Sequence, residues 1–208
     1  MSFISIADPM AELRKAANRG ADICFVDPRR NESVAGIGRH FAVKPDTDVY
    51  LMAALINQLF VDGKVDENAL RPYADNIAEL KTFAGNYPAA TVAPIVGLTE
   101  TDIIALAQDI AAADSAAFYM STGVNMGRQG SLAYWLLFML SLLTGNLDKP
   151  GGNIYSRGFY PAAKAGRVRG EINYEETPYG EVRRIRGSLP GNLMADMILD
   201  RKSTRLNS

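Results

Sequence analysis

Apolar positions in this chain follow two patterns, helical spacing and short unbroken runs. Leu51, Met52, Leu55, Ile56, Leu59 and Phe60 keep the period of one helix face. They follow Pro45-Asp46-Thr47-Asp48, so a helix is predicted from that acidic start. Met10, Leu13 and Ala17 keep the same period between Asp8-Pro9 and Gly20, a cap, a first-turn proline and a left-handed stop. Thr99-Glu100-Thr101-Asp102 resembles a capping box and predicts a helix to about Ala113. Residues 66–84 read as one or two amphipathic helices, and 89–96 as a helical turn or two. The apolar run from Gln129 to Leu143 predicts a buried helix stopped by Thr144-Gly145-Asn146.

Three runs have strand length instead: Ala21–Val26, His40–Val43 and Ser115–Ser121. Strands alternating with helices predict an α/β fold with an incomplete Rossmann-like, mostly parallel sheet covered by helices on both faces. The helix from Asp8 and the strand at Ala21–Val26 form the second half of a βαβ unit. Its first strand should stand before Phe3, so the domain reads as truncated at its N-terminus. After Lys149-Pro150-Gly151-Gly152 periodicity fades. An irregular segment is predicted there, with a possible helix over 189–199. The expected division is an α/β domain over 1–158, a linker returning toward a neighbouring domain over 159–200, and a tail over 201–208. That tail, Arg201-Lys202-Ser203-Thr204-Arg205-Leu206-Asn207-Ser208, fits no preceding pattern and reads as a non-native, adapter-derived addition.

Composition narrows the function classes. The chain is 48% hydrophobic and 22% charged, as folded globular proteins are. Its formal net charge of -1 gives no reason to expect nucleic acid as a partner. One Cys and one His cannot alone hold an iron–sulfur cluster or a Cys/His zinc site. Cys24, inside Ile23-Cys24-Phe25-Val26, reads as a small buried hydrophobe, and His40 as a strand-edge residue. The most apolar stretch, 132–143, is too short to span a bilayer. The first residues lack the basic and apolar regions of a secretory signal. Localisation stays open.

In an open α/β sheet, ligands sit beyond the C-terminal ends of the strands. Asp27, Pro28, Arg29 and Arg30 follow one predicted strand. The carboxylate could accept from ribose hydroxyls and the arginines could pair with phosphate; a solvated turn would explain them too. Asp46, Thr47 and Asp48 open a helix. Capping explains them, and so does guanine recognition, since a carboxylate matches the adjacent N1–H and N2–H₂ donors. Thr122, Gly123 and Met126 lie in the turn after the third strand. Gly123 and Gly127 would let backbone approach an anionic ligand, although turn economy also accounts for two glycines. Gly36-Ile37-Gly38 lacks the third glycine of a dinucleotide fingerprint and opens no clear helix.

The stretches RGADICFVDPRRNESV, FAVKPDTDVYLMAALINQLF, YMSTGVNMGRQG and LLTGNLDKPGGN, in this order and spacing, resemble the third domain of molybdopterin oxidoreductases. That family contains formate dehydrogenases, nitrate reductases and dimethyl sulfoxide reductase. The resemblance covers nearly all of residues 8–158. It implies a fragment of the catalytic subunit that holds the guanosine end of one molybdopterin guanine dinucleotide. The parent would perform two-electron or oxygen-atom transfer at a molybdenum carrying two such pterins. The resemblance places Asp27 to Arg30 at the nucleotide-contacting segment. Asp46, Thr47 and Asp48 match the family's P-x-[TS]-D element, with Asp48 at the acid that reads guanine. Thr122 and Met126 match cofactor-contacting positions, but the family often has Gln where Met126 stands, and Met cannot donate. The molybdenum ligand and the cysteines of a 4Fe-4S cluster would lie upstream, and electron-transfer subunits would be partners of the whole enzyme. The fragment alone would be inactive. An alternative is the equivalent, molybdenum-free region of the large iron–sulfur subunit of NADH–quinone oxidoreductase. A free-standing nucleotide-binding module is a third reading, disfavoured by the missing strand.

Overall fold

The computed structural model describes residues 8–32, 34–154, 174–177, 180–183 and 193–199. The expected strand before Phe3, the tail over 201–208 and most of the linker over 159–200 lie outside the described residues. The chain divides into two units, Met1–Tyr155 and Ser156–Ser208.

Local signals at both ends make helix α1, Pro9–Asn18. The Asp8 carboxylate accepts from the amide of Ala11 at 3.1 Å, and Pro9 occupies the first turn where no donor is lost. Gly20 then turns the chain at φ 94°. Strand β1, Cys24–Val26, pairs in parallel with β2, Arg39–Phe41, with Phe25 opposite His40. Helix α2, Asp48–Val61, follows directly. Seven of its residues, Leu51 to Ile56 and Leu59, are buried, so it is apolar on nearly every side and sits inside a jacket of helices. That jacket is α4 (Ile77–Ala84), α5 (Ala89–Val96), α6 (Glu100–Ala112) and α8 (Gly130–Leu143), with the short α3 (Glu67–Leu70) and α7 (Thr122–Asn125) between them. Thr99 and Asp102 close a reciprocal capping box at the start of α6. Ala133, Leu136, Leu140 and Leu143 of α8 complete the core. No single helix among the described residues is long and apolar enough to cross a membrane.

Two expectations are corrected. Residues 115–121 form no strand. Their backbone is held by side chains: the Ala116 amide donates to Asn146 Oδ1 at 2.9 Å, and the Phe118 amide to Asn153 Oδ1 at 2.8 Å. Asn153 Nδ2 donates back to the Phe118 carbonyl at 2.6 Å. A side-chain amide has the donor and acceptor of a peptide group, so Asn153 stands where a neighbouring strand would. The sheet described is therefore a parallel pair. The C-terminal segment, in turn, is not wholly irregular. β3 (Tyr174–Thr177) and β4 (Gly180–Arg183) form an antiparallel hairpin in the second unit, whereas α9, Met194–Leu199, falls within the helix expected over 189–199. The hairpin's short and mostly polar strands give no apolar alternation to read.

Cys24 is half-buried rather than buried, and a guanidinium faces it across the sheet. Arg39 on β2 forms ion pairs with Asp22 and with Asp109 of α6, at 2.8 Å for the latter, and brings Nη2 to 3.3 Å from Cys24 Sγ. The two carboxylates hold the guanidinium's proton more tightly than usual, with the Asp22 bond the larger effect. Burial, followed by the nearby Asp22 charge, pushes the Cys24 thiol up. Arg39 thus ties α6 to the parallel pair. Arg39→Leu is expected to cost about 1 kcal/mol, because the network is half exposed. Thermal melts at low and high salt check this, and the loss should shrink at high salt.

Candidate functional site

Three of the predicted segments meet at one end of α2. The first follows β1. Asp27 closes its own loop by accepting from the Arg29 amide at 2.7 Å and from Asn31 Nδ2 at 3.1 Å. His40 on β2 adds a ring-nitrogen contact to the Asp27 carbonyl at 2.8 Å. His40 is therefore a brace for this loop. Pro28, Arg29 and Arg30 are exposed, and the Arg29 guanidinium has only a loose ion pair with Glu32, at 3.9 Å.

The second segment precedes α2 and is tied down residue by residue. The Lys44 amide donates to the Val96 carbonyl at 2.8 Å, and Lys44 Nζ to the Pro94 carbonyl at 2.7 Å, both at the C-terminal end of α5. Thr47 Oγ1 donates to the Lys44 carbonyl at 2.6 Å, so its hydroxyl is spent inside the loop. Thr47 is the N-cap residue of α2, but its side chain makes no capping bond.

Asp48 is the first residue of α2 and is half-buried. Burial pushes its carboxyl up from the ordinary value. A bond from its own amide opposes that rise, and the charges of Asp46 and then Asp27 add to it. The two neighbouring acids act on Asp48 through space, so three carboxylates from two loops share this end of the helix. No side chain among the described residues donates to Asp48. Among the described residues, no group of three or more His, Cys, Asp or Glu is arranged to hold a metal ion.

The third segment is the turn at 121–128. Thr122 and Gly123 begin α7 and are exposed, and Met126 follows it with 81% of its surface open. A Cβ on Gly123 would meet nothing within 4 Å, so no neighbour in this chain requires glycine there. Arg128 stands at the end of the turn, within the YMSTGVNMGRQG stretch, where sequence alone assigns it no role. Its amide donates to Asp46 Oδ1 at 3.1 Å, which joins the third segment to the second. Lys44, Arg128, Asn146 and Asn153 lie within the stretches that carry the family resemblance, but the sequence shows none of these bonding roles. Each acts on a partner far away in the chain, which local sequence does not name.

The arrangement offers an acid in a partly dry setting, close to the loop that follows β1 and to an exposed turn. The family model for molybdopterin oxidoreductase matches residues 6–197. The chain belongs to the molybdopterin oxidoreductase family. Membership implies a molybdenum–pterin cofactor. Formate dehydrogenase H of Escherichia coli is 28% identical over 139 residues, covering 67% of this chain and 19% of that protein. A nitrate reductase of Symbiobacterium thermophilum is 29% identical over 166 residues, 75% of this chain and 22% of the relative. Trimethylamine-N-oxide reductase of Haemophilus influenzae is 28% identical over 167 residues, 74% of this chain and 20% of the relative. This molybdopterin oxidoreductase chain therefore spans about a fifth of the length of the curated relatives it matches. Among solved structures, acetylene hydratase from Pelobacter acetylenicus superposes with a TM-score of 0.62 at 23% identity. The match covers 65% of this chain and 19% of that one, and it supports the fold alone.

Proposed function

We propose that this chain is a segment of the catalytic subunit of a molybdopterin-dependent oxidoreductase, and that it grips the guanosine end of a molybdopterin guanine dinucleotide. The observation that carries this reading is Asp48: a half-buried carboxylate to which no described side chain donates, at a helix start beside two strand-end loops. The residues fit such a group. A carboxylate accepts from both N1–H and N2–H₂ of guanine in one plane, and those donors would restore what burial removes.

Asp27 has both oxygens engaged within its loop, but each keeps a lone pair for a ribose hydroxyl. Arg29 and Arg30 present planar guanidinium forks that suit phosphate. Thr122 and Gly123 are exposed, and the open space beside Gly123 would admit a nucleotide against the turn. Met126 offers only apolar contact. When bound, the cofactor supplies two-electron or oxygen-atom transfer at molybdenum. This chain's residues hold and orient the far end of it. The parallel pair and its helices would belong to a larger Rossmann-like sheet, completed by other parts of the polypeptide. Residues 1–158 would form the cofactor-binding unit.

The test is chemical. Acid hydrolysis of the cofactor from the purified complete enzyme should release guanine nucleotide in stoichiometric proportion to pterin. Pterin without guanine nucleotide would reject the reading.

A further inference from the structure

We propose that Asp46 is a positioning residue, a latch that fixes the turn at 122–128 against the loop at 44–48, and not itself a contact to the nucleotide. This rests on the reading of Asp48 given above and adds to it how that acid is kept in place.

Four observations converge on Asp46. Its backbone sits at φ 63°, in the left-handed region that side chains other than glycine rarely adopt. Aspartate is among the few residues that visit it, and here the carboxylate makes a contact that holds the loop in that form. Oδ1 accepts from the Arg128 amide at 3.1 Å, across 82 residues of sequence. Oδ2 faces Arg128 Nε at 3.8 Å, so both oxygens are directed at the same residue. Gly127 leaves the room for this approach: a Cβ there would stand 2.5 Å from Asp46 Oδ1. On its other side the loop is anchored to α5 through the two Lys44 bonds described above.

The chemistry of the latch follows from its geometry. Arg128 is 90% exposed, so its ion pair with Asp46 is screened and contributes little. The amide bond needs an acceptor at Oδ1, and it does not need a charge. Asparagine supplies that acceptor, while alanine does not. A residue that reads guanine behaves otherwise, because it must set an acceptor oxygen against each of two donors and asparagine has only one such oxygen.

The experiment compares D46N, D46A and D48N in the complete enzyme. It reads hydrogen exchange across 122–130 in the cofactor-free protein and guanine nucleotide content after loading. D46A should speed exchange of the Arg128 amide by about fivefold, the equilibrium worth of one such bond, and should lower nucleotide content. D46N should stay within about twofold of the parent in both readouts. Unchanged exchange in D46A would overturn the latch. So would a D46N protein that loses nucleotide as fully as D46A while its exchange is unchanged, since Asp46 would then touch the nucleotide. D48N that keeps full nucleotide content would sink the guanine reading instead, and the exchange data would still decide the latch.

Discussion

Replacing Asp48 with asparagine in the complete enzyme is expected to lower retained guanine nucleotide by roughly tenfold or more. The size follows from what one side chain does. An ionised carboxylate can take both guanine donors, and bonds to a charged group contribute about 1.5–3 kcal/mol each. Asparagine keeps one acceptor and turns an N–H₂ toward the other guanine donor, so one bond is lost and a repulsion replaces it. The same change should not weaken the empty protein. Asp48 carries a raised pKa from burial and from its acidic neighbours, so its ionised form opposes folding in the absence of a ligand. The folded state holds this proton more tightly than the unfolded chain. Its contribution to stability is therefore greatest at low pH and falls as pH rises through its titration range.

Ligand binding has the opposite sign. Guanine donors need the ionised acid, so retention should fall as pH drops through the raised pKa of Asp48. D48N should flatten that limb of the profile. Nucleotide content per polypeptide, measured across the acidic range with thermal melts of the empty protein beside it, checks both halves. Full content in D48N would reject the role given to Asp48.

The second large effect is expected at Asn153. Asn153→Leu removes the acceptor for the Phe118 amide and the donor to its carbonyl, together with a longer contact of 3.4 Å from Ser141 Oγ. Two partly buried backbone groups are left without partners, at about 1–3 kcal/mol each before solvent access is allowed for, so a loss of ~2–4 kcal/mol is expected. Asn153→Asp should fare little better. It restores the acceptor for the Phe118 amide but sets a second oxygen against the Phe118 carbonyl. The measurement is the melting temperature of the cofactor-free enzyme, with exchange at the Phe118 amide as the local readout. If N153D alone matches the parent, the carbonyl half of the pairing contributes nothing. Because residues 115–121 lead directly into α7, the same variant should also loosen the turn that carries Thr122 and Gly123.

Helices whose signals are local were legible in the sequence. The cap of α1, the capping box of α6 and the apolar period of α2 each occupy adjacent residues, and each appears in the fold. The candidate site was legible in outline for the same reason, since Asp27 ends a strand and Asp48 starts a helix. What could not be read is how long-range contacts finish these elements. Residues 115–121 carry the apolar character of a buried strand, yet none of them is fully buried, and apolar character does not name a hydrogen-bond partner. That partner is a pair of asparagines, Asn146 and Asn153, that look in sequence like ordinary turn residues. The link from Asp46 to Arg128 is hidden likewise, because nothing near either residue points to the other. In sequence Asp46 fits a cap or a nucleotide contact, and its left-handed backbone is visible only in three dimensions.

The side-chain pairing at 115–121 bears on how the protein behaves before all of its parts have come together. An extended apolar segment with open backbone groups is a template on which another chain can add a strand, the first step of edge-to-edge aggregation. Here Asn146 and Asn153 occupy the Ala116 and Phe118 amides and the Phe118 carbonyl from within the same polypeptide. A foreign strand approaching that side finds these groups taken, and its own amides find no acceptor at Phe118. The asparagines thus guard an edge as well as support it, and variants that lose them should precipitate during synthesis more readily than their loss of stability alone would suggest.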